Sequence, residues 1–129
     1  MTNYLKLTAK IQFTLLLLLI GLKVLAQTPD ANNTLYVNIN VNGGTGDGSS
    51  WANAIPQLAD ALLYAKQQNN YTSANPLKIF VAKGTYKPMY NFATANNTSA
   101  RDHSFLMIKN VMVYGGFDPA NYITTLNDN

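Results

Sequence analysis

Cysteine and glutamate are both absent from the 129 residues, and there is one histidine, one arginine and one tryptophan. Each absence removes a class of chemistry. Without cysteine there is no disulfide, no thiol nucleophile and no Cys/His zinc site. Without glutamate, paired-carboxylate hydrolysis of a glycosidic bond would rest on six scattered aspartates. Charge is scarce too, at 12% of residues against a usual ~25%. Asparagine fills the gap: 16 of the 103 residues from Gln27 onward are Asn. Asn tolerates the left-handed backbone region and bonds its own turn, so the sequence predicts many tight turns.

The long apolar run that is present lies at the start. Lys6 and Lys10 supply positive charge, Phe13 to Leu22 is broken only by Thr14 and Gly21, and Val24-Leu25-Ala26 offers small-residue cleavage. That order of charge, apolar run and small residue predicts a signal peptide over 1–26 with Gln27 as the new N-terminus. The run is too short for the roughly 20 apolar residues of a spanning helix. The chain is therefore expected to be exported, secreted or on the outer surface of a bacterial cell, with no integral membrane span after cleavage. Beyond Ala26 six basic residues meet six aspartates, so the sequence pI of about 9.2 belongs mostly to the leader. A neutral remainder gives no electrostatic footprint for nucleic acid.

Residues 27–34 read as a polar leader. Residues 35–42 alternate strictly, with Leu35, Val37, Ile39 and Val41 on one side, and predict a half-buried strand. A glycine-rich loop, 43–50, leads to Trp51. Ile55, Leu58, Leu62 and Ala65 form one apolar stripe of a helix over 56–68, with Pro56 in its first turn. Residues 78–83 are apolar on both faces, as in a strand covered on both sides. Strand, helix and strand in that order predict parallel pairing of 35–42 with 78–83. Two further short strands are expected at 104–108 and 111–114. Lys109-Asn110 between them is not one of the strong hairpin dipeptides. The second strand should therefore turn a corner at Asn110 and pair in parallel with 78–83, not with 104–108.

The ordered set Asp47-Gly48-Ser49-Ser50-Trp51-Ala52-Asn53-Ala54, Leu58-Ala59-Asp60-Ala61-Leu62, Ile79 to Pro88, Ser104-Phe105 and Val113-Tyr114-Gly115-Gly116-Phe117 resembles the N-terminal segment of secreted right-handed parallel β-helix proteins of the pectin-lyase-like fold. These are surface, adhesin-like or polymorphic outer-membrane proteins of Bacteroidetes-type bacteria. The resemblance spans about 35–118. It implies a mainly β fold, with 35–129 forming an N-terminal capping helix and the first coils of a truncated β-helix domain. A small α+β domain is the alternative. It also implies a non-catalytic scaffold, adhesin-like or carbohydrate-binding. Its partners would be a polysaccharide or cell-surface glycan and the downstream β-helix coils of the full-length protein. The other implied function is an extracellular polysaccharide lyase or glycoside hydrolase whose catalytic coils lie downstream.

No residue is assigned a catalytic, cofactor-binding or metal-binding role, and no cofactor is implied. Gly43-Gly44-Thr45-Gly46-Asp47-Gly48 resembles a glycine-rich calcium repeat, but the Asp falls one place early and the copy is single, so a plain loop is the better reading. Trp51 is expected to pack under the helix rather than stack on a sugar. Tyr86, Tyr90 and Phe92 are expected to pack at an edge. Arg101-Asp102-His103 is the densest ionisable cluster, yet catalytic groups must converge in space, and the triplet reads as a solvated turn.

Overall fold

The computed structural model of the chain describes residues 26–91, 93–96 and 100–128. The expected signal segment up to Leu25, and Phe92, lie outside the described residues. Four main elements follow in order: β1 (Thr34–Val37), α1 (Leu58–Gln68), β2 (Leu77–Ala82) and β3 (Val111–Phe117). The strands form one sheet in the order β1-β2-β3, and both junctions are parallel. The architecture is thus a small domain with one helix and a three-stranded parallel sheet, within both the mainly β and the α+β descriptions.

Hydrophobic burial explains the layering. Leu35, Val37, Leu77, Ile79, Val81 and Val111 share a core with Ala61, Leu62 and Ala65 of α1. The predicted apolar stripe is therefore the packed face of the helix, with Leu58 packed against the same core. α1 ends at Asn69, whose left-handed backbone (φ 44°) lets its N–H donate to the Ala65 carbonyl. The predicted parallel pairings both hold: Thr34–Val37 against Lys78–Val81, and Val111 onward against Leu77 onward. Asn110 makes the corner with φ 60°, and its side chain donates to the Tyr71 carbonyl.

Four expectations need correction. The first strand stops at Val37 rather than running to 42, because the Asn38 side chain accepts from the Asn40 N–H and its carbonyl from the Val41 N–H, closing a turn. The helix begins at Leu58, not at Pro56. Ile55 is held in a parallel bridge with Val37, and a residue before proline is biased to extended backbone, so the chain turns only afterwards. Residues 104–108 form no strand; Phe105, Leu106 and Met107 are exposed and only Ile108 packs against the core. Trp51 does not pack under α1. It lies among Tyr36 and Phe117, on the opposite sheet face.

That opposite face follows from strand alternation. Tyr36, Phe80 and Tyr114 stand side by side across the sheet, one per strand. Neighbouring rings meet nearly edge to face at 5.8 and 5.6 Å. Beyond Phe80 the register slips, so that Ala82 faces Phe117. The extra residue sits at Gly115-Gly116, where Gly116 takes φ 91°, and the slip stacks Phe117 on Phe80 at 4.5 Å.

The outer edge of β1 is closed by its own loop. Gly48 O accepts from Tyr36 N–H, Tyr36 O from Ile55 N–H, and Ile55 O from Asn38 N–H. Gly48 has φ 82°, and a Cβ there would sit 2.8 Å from Leu35 Cδ2 and 2.9 Å from Ile55 Cδ1. Two outcomes are expected in thermal or urea unfolding. Gly48→Ala should destabilise by more than about 1 kcal/mol, from the positive φ alone and further from the contact. Leu62→Asp should unfold the domain, since it forfeits about 1.5–3 kcal/mol of burial and leaves a carboxylate without a partner in the core. A Leu62→Asp chain that melts like its parent would mean α1 does not cover the sheet.

Candidate functional site

Two of the aspartates, Asp30 and Asp47, are used by the fold. Asp30 Oδ1 accepts from the Asn32 and Thr34 N–H groups, and Oδ2 accepts from the Tyr36 hydroxyl. Asp47 accepts from the Thr45 hydroxyl and the Ser49 N–H, which hold its carboxyl below the usual carboxylate range. The glycine-rich loop therefore spends its one carboxylate on its own turn. Among the described residues no group of three or more His, Asp, Glu or Cys could hold a metal ion. Arg101 and Asp102 lie exposed in a single 3-10 turn, as read for a solvated turn, though no strand follows. His103 is half-buried, and its Nε2 has no hydrogen-bond partner among the described residues.

The described residues line clefts open to small molecules. One, of about 110 Å³, lies at the C-terminal ends of the strands between Asn38, Asn40, Lys83 and Asp118. Its two charges are paired: Lys83 bridges Asp118, and the Asn121 amide donates to the same carboxylate. Lys83 first, then Asn121, hold the Asp118 carboxyl below its ordinary value. The other, of about 310 Å³, is lined by Ile39, Gln57, Thr85, Lys87 and Met89. It brings together a single cation and no nucleophile–base pair.

The aromatic face also has a structural use. Trp51 meets Tyr36 at 69° and Phe117 at 51°, and its Nε1–H donates to the Thr124 carbonyl. Rings packed edge to face, with the indole N–H bonded, form a second small core. Tyr86 and Tyr90 go to separate partners rather than to each other. The Tyr86 hydroxyl donates to Ala82 O and accepts from Ile39 N–H, and the Tyr90 hydroxyl donates to Asp60.

Backbone groups are also left without a partner among the described residues. In a parallel ladder a residue directs its N–H and C=O to the same neighbour, and alternate residues serve opposite sides. Leu77 N–H donates to Asn110 O, so Asn110, Met112 and Tyr114 serve β2, and Val113 and Gly115 face outward. Neither Val113 nor Gly115 has a backbone partner on that outer side among the described residues. The candidate site is this open edge of β3, with Met112 44% exposed beside it. The sequence held a signal for it. Leu35-Tyr36, Ile79-Phe80 and Val113-Tyr114 repeat aliphatic–aromatic at matched register positions.

No family model, curated protein or solved structure matches the chain. No helix among the described residues is long and apolar enough to cross a membrane.

The tyrosines set an alkaline limit on this arrangement. Burial, reinforced by the Asp30 carboxylate, pushes Tyr36 up to about 12. Tyr90 is also pushed to about 12, first by its bond to Asp60 and then by burial. Both folded values lie above the unfolded value of 10.0. Their stabilisation is therefore complete below pH 10 and is lost as pH rises towards 12. Circular dichroism along an alkaline titration, followed beside phenolate absorbance, should show this loss. Tyr36→Phe with Tyr90→Phe should make it shallower, and an unchanged slope would place the alkaline sensitivity elsewhere.

Proposed function

We propose that this chain is an exported, non-catalytic scaffold module, surface or adhesin-like, built as the cap and first coils of a right-handed parallel β-helix and presenting its flanks to a polysaccharide or cell-surface glycan. The observation that carries this reading is the inequality of the sheet's two edges. The β1 edge is closed by residues 48–55, whereas the β3 edge offers outward backbone groups in a sheet whose register runs unbroken over Thr34–Val37 against Lys78–Val81 and over Leu77–Phe80 against Val111–Tyr114. A structure that begins closed and ends open is suited to continuation by further coils. The commitment of Asp30, Asp47 and Asp118 to structural hydrogen bonds and an ion pair supports binding rather than bond cleavage.

Expression in a Gram-negative host, followed by mass spectrometry of the exported form, should find an N-terminus at or near Gln27. A protein retaining Met1 in the cytoplasm would count decisively against export. The exported protein incubated with acidic and neutral polysaccharides should leave their chain length unchanged. Release of shortened or unsaturated oligosaccharides would overturn the non-catalytic reading.

A further inference from the structure

We propose that Asn42-Gly43 is a site of spontaneous covalent modification, at which the folded chain closes a succinimide and opens it with water to isoaspartate or aspartate, without an enzyme. The proposal is independent of the scaffold reading, since it needs neither export nor a glycan.

Two observations carry it. The first lies in the sequence. The backbone nitrogen of the following residue must reach the asparagine Cγ, and a side chain on that residue obstructs the approach, whereas glycine has none. Of all the asparagines in the chain, Asn42 alone precedes a glycine. The second is that the fold leaves both reacting groups free. Elsewhere asparagine side chains are tied into the structure. Asn38 accepts from the Asn40 N–H, Asn53 from the Thr45 N–H and Asn91 from the Ala93 N–H, and Asn110 donates to the Tyr71 carbonyl. Asn42 and Gly43 are both exposed, and neither the Asn42 amide nor the Gly43 N–H has a hydrogen-bond partner among the described residues. A Cβ at Gly43 would meet nothing within 4 Å, so the space around the reacting nitrogen is open.

The step balances with water as the one co-reactant and no change of oxidation state. The Gly43 N–H gives its proton to hydroxide, the nitrogen bonds to Asn42 Cγ, and the Cγ–Nδ2 bond breaks with Nδ2 leaving as ammonia. Water then adds to one of the two imide carbonyls and breaks that carbon's bond to nitrogen. Opening at Cγ gives aspartate. Opening at the main-chain carbonyl gives isoaspartate, in which the chain runs through Cγ and gains one backbone carbon. Either product puts a carboxylate where a neutral amide stood.

The anchors on either side give the reaction a consequence. Before the dipeptide, the Val41 N–H donates to Asn38 O. After it, Gly44 lies so close to the Ala52 carbonyl that a Cβ would collide, and the Thr45 N–H donates to Asn53 Oδ1. The extra carbon of isoaspartate falls between these fixed points, so the Gly44 and Thr45 anchors must give way to accommodate it.

The test holds the full chain in mildly alkaline buffer and follows its fragments by mass spectrometry, with isoaspartate labelled by an isoaspartyl methyltransferase. A synthetic peptide covering 38–48 is the unfolded reference. Asn42→Gln is the control, because its longer side chain closes only a six-membered imide, which forms far more slowly. The expected result is acid gain confined to the fragment holding Asn42, with isoaspartate exceeding aspartate, a rate that rises with pH and lies within a few-fold of the peptide's, and no such gain in Asn42→Gln. In the aged form, separated by anion exchange, the Thr45 amide should exchange faster with solvent than in the fresh form. A folded chain reacting an order of magnitude more slowly than the peptide would overturn the proposal, because the fold would then protect the site. Earlier reaction at another asparagine, or equal acid gain in Asn42→Gln, would also overturn it. Unchanged exchange at Thr45 would overturn the consequence assigned to the anchors.

Discussion

Burial of β2 on both faces is the constraint on which the domain depends. Ile79 and Val81 meet the helix side, while Phe80 and Ala82 meet the aromatic side, and none is more than 9% exposed. A strand in that position cannot direct its backbone to water, so its N–H and C=O groups must be met by strands on both sides. β1 and β3 supply them. The helix follows from the same requirement, since the Leu35–Ile79–Val113 row needs an apolar cover, and α1 brings Leu62 and Ala65 to it. The aromatic side is covered differently. Trp51 arrives from the loop after the glycines, Phe117 comes over the slip in β3, and the Thr124 carbonyl holds the indole from the tail.

Much of this was legible because periodicity reports burial. The stripe Ile55, Leu58, Leu62, Ala65 named the packed face of α1, and the two-sided apolarity of 78–83 named the central strand. The parallel corner at Asn110 was legible for a different reason: Lys-Asn is poor hairpin chemistry, and Asn tolerates the φ of 60° that the bend requires. Residues 104–108 show that composition alone does not make a strand. Ser-Phe-Leu-Met-Ile has strand composition, but a strand exists only by pairing. Ser104 N–H goes to Tyr90 O instead, and the three apolar side chains after it are left exposed. The ends of elements were misplaced for local reasons. Asn38 bonds its own turn, and Ile55 is drawn into a bridge with Val37, effects below the reach of a hydrophobic pattern.

The candidate site was less legible because it consists of unused backbone, and sequence patterns speak mainly of side chains. The residues that attracted chemical attention, Asp47 and the 101–103 triplet, resolve into turns. Trp51 was assigned correctly to packing but to the wrong side, because position before a helix says nothing about which sheet face a loop returns to. The aliphatic–aromatic repeat in the three strands was the available signal. It becomes visible only when the strands are laid in register.

The two edges of the sheet differ in origin as well as in state. Closing the β1 edge takes a glycine at φ 82°, a carbonyl aimed at Tyr36, and Ile55 held beside Val37. These local features agree with one another and leave no room for another strand. On β3 the local features agree in the other direction. The tight turn at Lys109-Asn110 satisfies Val111 N–H through Ile108 O, the strand then runs free of charge, and the slip comes only after Tyr114 has joined the aromatic row. Here the irregularity comes late, after the pair Val113-Tyr114 has been presented, and it serves the interior by bringing Phe117 onto Phe80. The same slip therefore completes the aromatic core and interrupts the regular pairing of β3 with β2 after Tyr114.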